Sequence, residues 1–207
     1  MGDPEIRLVD ANTSPDGEKY LHTCLAPLTF RRYRKRAQYL EAAIRGGLRK
    51  EVLIMDGDAV GMIEYVPAHA SAYPISGPGA WVMNCIWVLR KAKGHRFGKM
   101  LVRRMIGAAK EANGFATVAL EGHWSPWLRL NEMEYLGYGS IDSRLMRHRV
   151  KKPDVRFRVH LMWMPLREGA REPTMDWDRL SRGVDFCIAH PLYRAERFGQ
   201  ENAFEIC

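Results

Sequence analysis

Residues 86–101 read IWVLRKAKGHRFGKML, and this segment carries the clearest structural signal in the chain. Its first residues continue an apolar and aromatic run that starts at Trp81, which is typical of a strand buried on both faces. A basic turn containing Gly94 and Gly98 follows the run. Apolar residues at helical spacing begin near Phe97, so the pattern predicts a buried strand, a basic glycine turn and then a helix.

This strand–turn–helix segment has the properties of an anion site. The first amides of a helix have no partner inside the helix, and the helix dipole adds partial positive charge there. Glycines let the backbone approach a ligand closely, and Lys91, Lys93, Arg96 and Lys99 add charge. We predict a pyrophosphate site here, although a tight turn with solvated lysines also fits the local pattern.

Upstream of this segment, the sequence predicts a strand, two helices and a hairpin. The strand covers 6–9, and Ser14 with Pro15 marks the start of the first helix. The second helix covers 29–44, with Phe30, Tyr33, Ala37, Leu40, Ala43 and Ile44 on one apolar stripe. Asp56-Gly57 between apolar runs is a strong hairpin signal, and residues 67–79 are predicted to form a loop.

Downstream, the helix is predicted to end at Asn113-Gly114, with Gly114 as its C-cap. A buried strand at 116–120, a short helix at 127–135 and two further strands near 140 and at 155–163 follow. The resulting order, β-α-α-β-β-β-α-β-α-β-β, predicts an α/β (α+β) domain with a mixed sheet. We assign this domain to residues 1–166. Residues 167–207 are predicted to be a C-terminal extension that packs on it.

Composition excludes several classes of protein. The 207-residue chain has a formal net charge of +8, which favours anionic partners. No apolar stretch is long enough to cross a membrane, and the start of the chain does not resemble a signal peptide. Four separated cysteines and scattered histidines predict no metal site and a reduced, cytoplasmic setting. The basic clusters 31–36 and 144–152 are interpreted mainly as solvated faces.

The segment also resembles the signature of the GNAT superfamily of N-acetyltransferases. The matching residues are Val88, Lys93, Gly94, Phe97, Gly98, Lys99 and Leu101. The element order over 6–163 and the Leu136-Gly137-Tyr138 turn are similar too, and residues 61–67 with the following loop resemble one subgroup.

The resemblance implies a splayed sheet and acetyl-CoA as the acyl donor. Its pantetheine arm would lie between the strand at 86–88 and the strand at 117–121, with the pyrophosphate on 94–99. The cofactor-binding residues that it implies are Ile86, Trp87, Val88, Lys93, Gly94, His95, Arg96, Phe97, Gly98 and Lys99.

Four positions depart from the family pattern. Arg96 stands at the central glycine of the signature, and Lys93 stands where arginine or glutamine is usual. Met133 occupies the position of the family's tyrosine acid, and Pro126 that of a helix asparagine. The resemblance therefore supports cofactor binding better than it supports the family's acid chemistry.

Candidate bases are few. Glu121 and His123 end the strand that would flank the acyl group, and they share a strand face if the strand continues that far. They could act as general base and partner, or be a solvated strand end and a loop residue. Glu64 is a second candidate base, or a surface strand residue. Tyr135 and Cys85 are better explained by packing than by chemistry.

These features predict an N-acyltransferase that moves an acetyl group from acetyl-CoA directly to an amine of a small molecule or peptide. The alternative is a non-catalytic acyl-CoA-binding or regulatory module on the same fold. Nucleic-acid binding is disfavoured because few aromatic residues accompany the basic run at 31–36. The extension is expected to shape either the acceptor side or a homodimer contact.

Overall fold

The fold is a mixed α/β arrangement around one large sheet, as predicted. The computed structural model describes residues 4–24, 34–194 and 201–207. Its helices are α1 (Glu18–Leu21), α2 (Arg34–Arg45), α3 (Phe97–Ala108), α4 (Leu130–Tyr135) and α5 (Trp177–Ser181). Its strands are β1 (Ile6–Asp10), β2 (Arg49–Met55), β3 (Asp58–Pro67), β4 (Ile75–Ser76), β5 (Ala80–Val88), β6 (Gly114–Glu121), β7 (Gly139–His148), β8 (Arg156–Pro165), β9 (Thr174–Met175) and β10 (Phe204–Ile206).

Eight strands form the main sheet, in the order β1-β2-β3-β5-β6-β8-β7-β10. Neighbouring strands are antiparallel except β5 and β6, which are parallel. This parallel pair is short and joins only 80–82 to 114–116. Beyond it the two strands separate, so the sheet opens in the middle.

Two local features shape the strands beside this opening. The β2–β3 turn has positive φ at Asp56 (52°) and Gly57 (84°), which confirms the predicted hairpin. In the β3–β5 register Glu64 is opposite Cys85 and Tyr65 is opposite Met83, so Asn84 is an extra, bulged residue. A bulge bends its strand, and this one lies where β5 leaves β6.

The two faces of the sheet have separate cores. On one face α3 packs on the sheet through Leu101 and Met105, which meet Ile63 and Phe115. The other face is covered by α2 on one side and by residues of the C-terminal extension on the other. The opening between β5 and β6 therefore connects two differently built sides of the molecule.

The C-terminal extension is part of the sheet and of the core. Strand β10 pairs with β7, and β9 pairs with β4, which lies inside the segment 67–79 predicted as a loop. Five of its buried apolar side chains join the core on this face: Trp177, Leu180, Phe186, Leu192 and Phe204. A homodimer contact stays a prediction.

Several predicted boundaries were wrong. Helix α1 begins after Gly17 rather than at Ser14, and α4 begins at Leu130 rather than at 127. Helix α3 ends at Ala108, and Gly114 is the first residue of β6 instead of a C-cap. The predicted helix residues 29–33 lie outside the described ranges.

The inward stripe of α2 also differs from the prediction. Ala37 is exposed, whereas Arg36 is largely buried and Leu40 is fully buried. Arg36 tolerates this position because it forms an ion pair with a buried carboxylate, described below. The basic run at 31–36 is therefore not wholly a solvated face.

Candidate active site

A cleft of about 520 Å³ lies where β5 and β6 separate. Its lining comes from both faces of the sheet. On the α3 side it includes Lys93, Gly94, Arg96, Gly98 and Leu136, and on the opposite side Arg36, Phe186, Cys187 and His190. Thr117 Oγ donates to the carbonyl of Met83 at 2.8 Å, at the point where the two strands part.

The segment that precedes α3 forms one end of this cleft. Its backbone is left-handed at Gly94 (φ 94°) and at Arg96 (φ 58°). Arg96 is the N-cap of α3 and makes no side-chain cap, so the first amides of the helix are left for an external acceptor. Together with the exposed Lys93 and Arg96 side chains, these amides form a site suited to a phosphate group.

Gly98 leaves room at the start of α3. A Cβ at this position would come within 3.3 Å of Leu136 Cδ2, whereas one at Gly94 would meet nothing within 4 Å. Gly94 is needed instead for its positive φ, which side chains rarely adopt. The two glycines therefore have different roles: one sets the turn and the other keeps the helix start open.

The free edge of β5 forms the floor of the cleft. Beyond Val82 this edge has no strand partner among the described residues on the β6 side. Trp127 reaches across and contacts Trp87, with ring centroids 4.3 Å apart. Trp87 Nε1 is buried and has no hydrogen-bond partner in the described part of the chain. An extended ligand could pair with such an edge as an added strand does.

Helix α4 closes the α3 side of the cleft. Met133, at the position of the family's tyrosine acid, is buried and also lines the cleft. The prediction that Tyr135 packs in the core was wrong, because its side chain is exposed. Its ring lies 4.0 Å from Lys99 Nζ. Pro126, at the asparagine position, lines the cleft as well.

Glu64 does not itself line the cleft, but it pairs with Arg36, which does. Glu64 is fully buried and not the surface residue that the alternative interpretation assumed. Its Oε1 accepts hydrogen bonds from Arg36 and, at 3.1 Å, from Lys50 Nζ. Burial alone would raise the pKa of Glu64, but the charges of Arg36 and Lys50 outweigh burial and lower it.

A chain of hydrogen bonds holds the β5 bulge from the C-terminal extension. Burial lowers the pKa of His190 to about 3, so its ring is neutral. His190 Nδ1 accepts from the Leu192 amide at 3.0 Å, which places the ring proton on Nε2. Nε2 therefore donates to Tyr73 Oη at 2.7 Å, and Tyr73 donates to the Asn84 carbonyl at 3.0 Å. Both ring nitrogens of His190 are used, so it is no base.

Three cysteines line the same inner end of the cleft: Cys24, Cys85 and Cys187. Burial raises the pKa of the Cys85 thiol, and a hydrogen bond with Cys24 together with burial raises that of Cys187. Both are therefore thiols rather than thiolate nucleophiles at neutral pH.

Neither Glu121 nor His123 is among the residues that line the cleft. The Glu121 side chain is 57% exposed and faces Arg158 Nε at 3.8 Å and His160 Nε2 at 3.4 Å. Strand β6 ends at Glu121, and Gly122 has φ 73°, so His123 does not share its strand face. Burial lowers the pKa of His123 to about 4. The structure therefore does not bring these two residues together at the opening.

Sequence reasoning missed the residues that line the inner end of the cleft. Arg36 precedes Phe186 by 150 positions in the sequence, and no local pattern links it to Phe186, Cys187 and His190. One signal was present: Arg36 falls three residues before Tyr39 and four before Leu40, on the inward stripe of α2.

The described residues contain neither a metal-ligand cluster nor a helix that could span a membrane. No three His, Cys, Asp or Glu side chains there are grouped as metal ligands would be. None of the described helices is long and apolar enough to cross a membrane.

Comparison with known proteins agrees with this geometry. The model of the acetyltransferase (GNAT) family matches residues 20–124, which are 105 of the 207 residues. Comparison with curated proteins gives no match.

Two solved structures illustrate the fold. An IAA acetyltransferase from Bacillus cereus ATCC 14579 is similar with a TM-score of 0.50 at 16% identity, covering 79% of this chain and 100% of that one. An acetyltransferase from Bacillus subtilis in complex with CoA is similar with a TM-score of 0.50 at 16% identity, covering 80% and 100%. At this identity the likeness concerns the fold alone. The family match, with the splayed sheet and the basic turn before α3, shows that the chain belongs to the acetyltransferase (GNAT) family.

Proposed function

We propose that the protein transfers an acetyl group from acetyl-CoA directly to an amine in the cleft between β5 and β6. One observation carries the proposal: the free edge of β5 leads from the anion site at the start of α3 to the opening in the sheet. A long, thin thioester with a phosphate-rich end fits such a path. The B. subtilis acetyltransferase, with the same fold, is in complex with CoA.

The residues present suit the parts of acetyl-CoA. The amides of Phe97, Gly98 and Lys99, with the side chains of Lys93 and Arg96, would hold the pyrophosphate. The edge of β5 at Ile86, Trp87 and Val88 would hold the pantetheine arm by backbone hydrogen bonds. His95 stacks on Phe97, with centroids 5.1 Å apart, and stiffens the turn.

Acetyl-CoA supplies an activated acyl carbon, which bonds to the acceptor nitrogen as the carbon–sulfur bond breaks. The amine gives up one proton to water and the departing CoA sulfur takes one from water, so CoA leaves as its thiol. The protein contributes position. The Asn84 bulge, held by Tyr73 and His190, fixes the strand where the acyl group would lie. The apolar walls at Trp127 and Met133 keep water away from it. Holding two reactants in this way is worth several kcal/mol of barrier.

The amine must lose a proton during the transfer. Along the cleft, the described side chains offer thiols with raised pKa, a histidine with both nitrogens engaged, and the carboxylate of Glu132 on α4, at the other side of the cleft from Arg36. The carboxylate of Glu64, beside the cleft, is paired with two cations. We therefore propose that the acceptor proton leaves to water. Under this proposal Glu121 and His123 take no part in the reaction, and the role of Glu64 is to hold Arg36 in position.

The test is a thiol-release assay with acetyl-CoA and a panel of amines. Acyl transfer predicts release of free CoA that depends on the amine and equals the acetylated product mole for mole. A non-catalytic acyl-CoA-binding module, which Met133 in place of the tyrosine acid would suit, predicts tight binding and no release with any amine. Absence of both binding and release would refute both functions.

A further inference from the structure

The inner end of the cleft contains an unbalanced buried charge cluster. Arg36 and Lys50 share the single carboxylate of Glu64, so two cations face one anion. Glu64 and Lys50 are almost completely buried, and the Arg36 side chain is 11% exposed. One positive charge is therefore in excess, in a place where water screens it poorly.

Of the two cations, Arg36 is the one that can still donate hydrogen bonds to a ligand in the cleft. Lys50 Nζ also donates to the backbone carbonyls of Leu21 and Thr23, which completes its three donors with Glu64. Arg36 lines the cleft, and its Nε has no hydrogen-bond partner among the described residues. Burial lowers the pKa of Arg36, but its charge interactions, chiefly with Glu64, together outweigh burial and raise the pKa, so the guanidinium stays protonated.

The surroundings of Arg36 suit an anion with an apolar neighbour. Phe186, Cys85 and Cys187 line the cleft beside it, and none of them carries charge at neutral pH. Among the described lining residues the one carboxylate is Glu132, on α4 at the other side of the cleft. A polycationic amine would therefore meet repulsion here, whereas a carboxylate would neutralise the cluster.

Arg36 also lies close to the part of β5 where the acyl group is proposed to bind. Glu64, its partner, is opposite Cys85 in the β3–β5 register, directly after the Asn84 bulge. A ligand anchored on Arg36 therefore lies beside the place proposed for the acyl group.

We propose that the acceptor is an amino acid or a close analogue, whose carboxylate binds Arg36 while its amine faces the β5 opening at Asn84 and Cys85. This inference rests on the proposed function and names its substrate class. Arginine presents a planar fork of donors that matches a carboxylate, which lysine does not.

The first test uses binding and needs no turnover. N-acetylated phenylalanine, leucine and methionine, each with its matching amide, would be titrated calorimetrically into the CoA-saturated protein. We expect at least one acid to bind tenfold or more tighter than its amide. In Arg36→Gln this preference should fall to about twofold or less, and Arg36→Lys should keep part of it. Arg45→Gln, an exposed arginine on the same helix, should keep all of it.

Different results of these experiments would refute the carboxylate site and the proposed acyl transfer separately. Amides that bind as well as acids in the parent protein, or no binding of any acid, would overturn the carboxylate site whatever the variants do. CoA release with carboxylate-free amines but not with amino acids would leave acyl transfer standing and refute this acceptor class. Binding of the acids without release of CoA from any amine would refute acyl transfer and retain the site. Melting curves of the variants would show that they are folded.

Discussion

Arg96 is the residue where the chain departs most clearly from its family signature, and its backbone explains why glycine is usual there. Its φ of 58° costs an L-residue with a side chain about 1–2 kcal/mol. The chain keeps this arginine in the cleft wall, which supports a role for the side chain in holding phosphate.

Arg96→Gly is therefore expected to act in two opposite directions. It should raise the free energy of unfolding by about 1 kcal/mol, measured by urea denaturation, because glycine adopts this φ without strain. It should weaken CoA binding about tenfold, because a charged hydrogen bond is lost. Lys152→Gly is the matched control: its φ is 48° and it lies outside the cleft, so it should stabilise the fold and leave CoA binding unchanged. Tighter CoA binding by Arg96→Gly would mean that the side chain obstructs the site.

The sequence predicts Glu121 as a general base, but the structure places it outside the cleft. Its exposed carboxylate lies outside the cleft, beside Arg158 and His160. We expect Glu121→Gln to keep kcat within about threefold, since a lost general base costs about 10²–10⁴. The rate should instead rise with pH as the acceptor amine deprotonates. A hundredfold loss of kcat together with a changed acidic limb of the pH–rate profile would reinstate Glu121 as the base.

Among the elements, the bulge in β5 is held by hydrogen bonds that run from the Asn84 carbonyl through Tyr73 to His190 in the C-terminal extension. Tyr73→Phe removes the hydroxyl that joins His190 to the Asn84 carbonyl and leaves both buried groups without this partner. We expect a loss of about 1–3 kcal/mol in stability and a fall in kcat, with CoA affinity unchanged, because the phosphate site is elsewhere.

Tyr138→Phe is a suitable comparison for this prediction. Tyr138 is equally buried, but among the described residues its hydroxyl has a single hydrogen-bond partner, the sulfur of Met83 at 3.6 Å. Tyr138→Phe should therefore lower the free energy of unfolding by less than Tyr73→Phe does. Equal effects of the two variants on kcat would show that the link to the bulge has no role in positioning.

Elements with local signals could be predicted from the sequence. The Asp56-Gly57 hairpin and the basic turn before α3 each depend on neighbouring residues whose φ preferences or charges are visible in the chain. The bulge at Asn84 and the β4–β9 pair could not be predicted, since both depend on register between distant strands. For the same reason the turn that carries the predicted anion site was visible in the sequence, whereas the Arg36–Glu64 pair, which joins α2 to β3, was not.

For the whole molecule, three histidines link stability to pH. Burial, the largest cause in each case, lowers the pKa of His123 and His148 to about 4 and that of His190 to about 3. An unfolded histidine has a pKa near 6.5, so below that pH the unfolded state binds more protons than the folded state. Their contribution is complete above about pH 6.5 and is lost as the pH falls toward 4.

We therefore expect the free energy of unfolding to fall between pH 6.5 and 4, with each histidine adding at most ~1.4 kcal/mol per pH unit. Urea denaturation across this range would measure the slope. His190→Asn should reduce the slope, whereas His69→Gln, at an exposed position, should leave it unchanged. A parent protein whose stability is flat over this range would contradict the buried, neutral state of these rings.

The C-terminal extension contributes to the sheet, the core and the cleft of the molecule. It adds a strand to the sheet, aromatic side chains to the core and Cys187 and His190 to the cleft. Removing it after Leu166 should therefore unfold or aggregate the protein rather than change acceptor choice alone. Each large core side chain lost typically costs about 3–5 kcal/mol.

The central claim, that acetyl-CoA lies along β5 with its pyrophosphate on the start of α3, is tested most directly by calorimetric titration of acetyl-CoA into three proteins. The parent should bind, and Gly98→Val should lose at least tenfold in affinity (~1.4 kcal/mol), because its side chain would occupy the space between α3 and Leu136. Gly107→Ala, on the same helix with nothing within 4 Å of the added carbon, should bind like the parent. Equal affinity of Gly98→Val and the parent, or no binding by the parent, would contradict the claim.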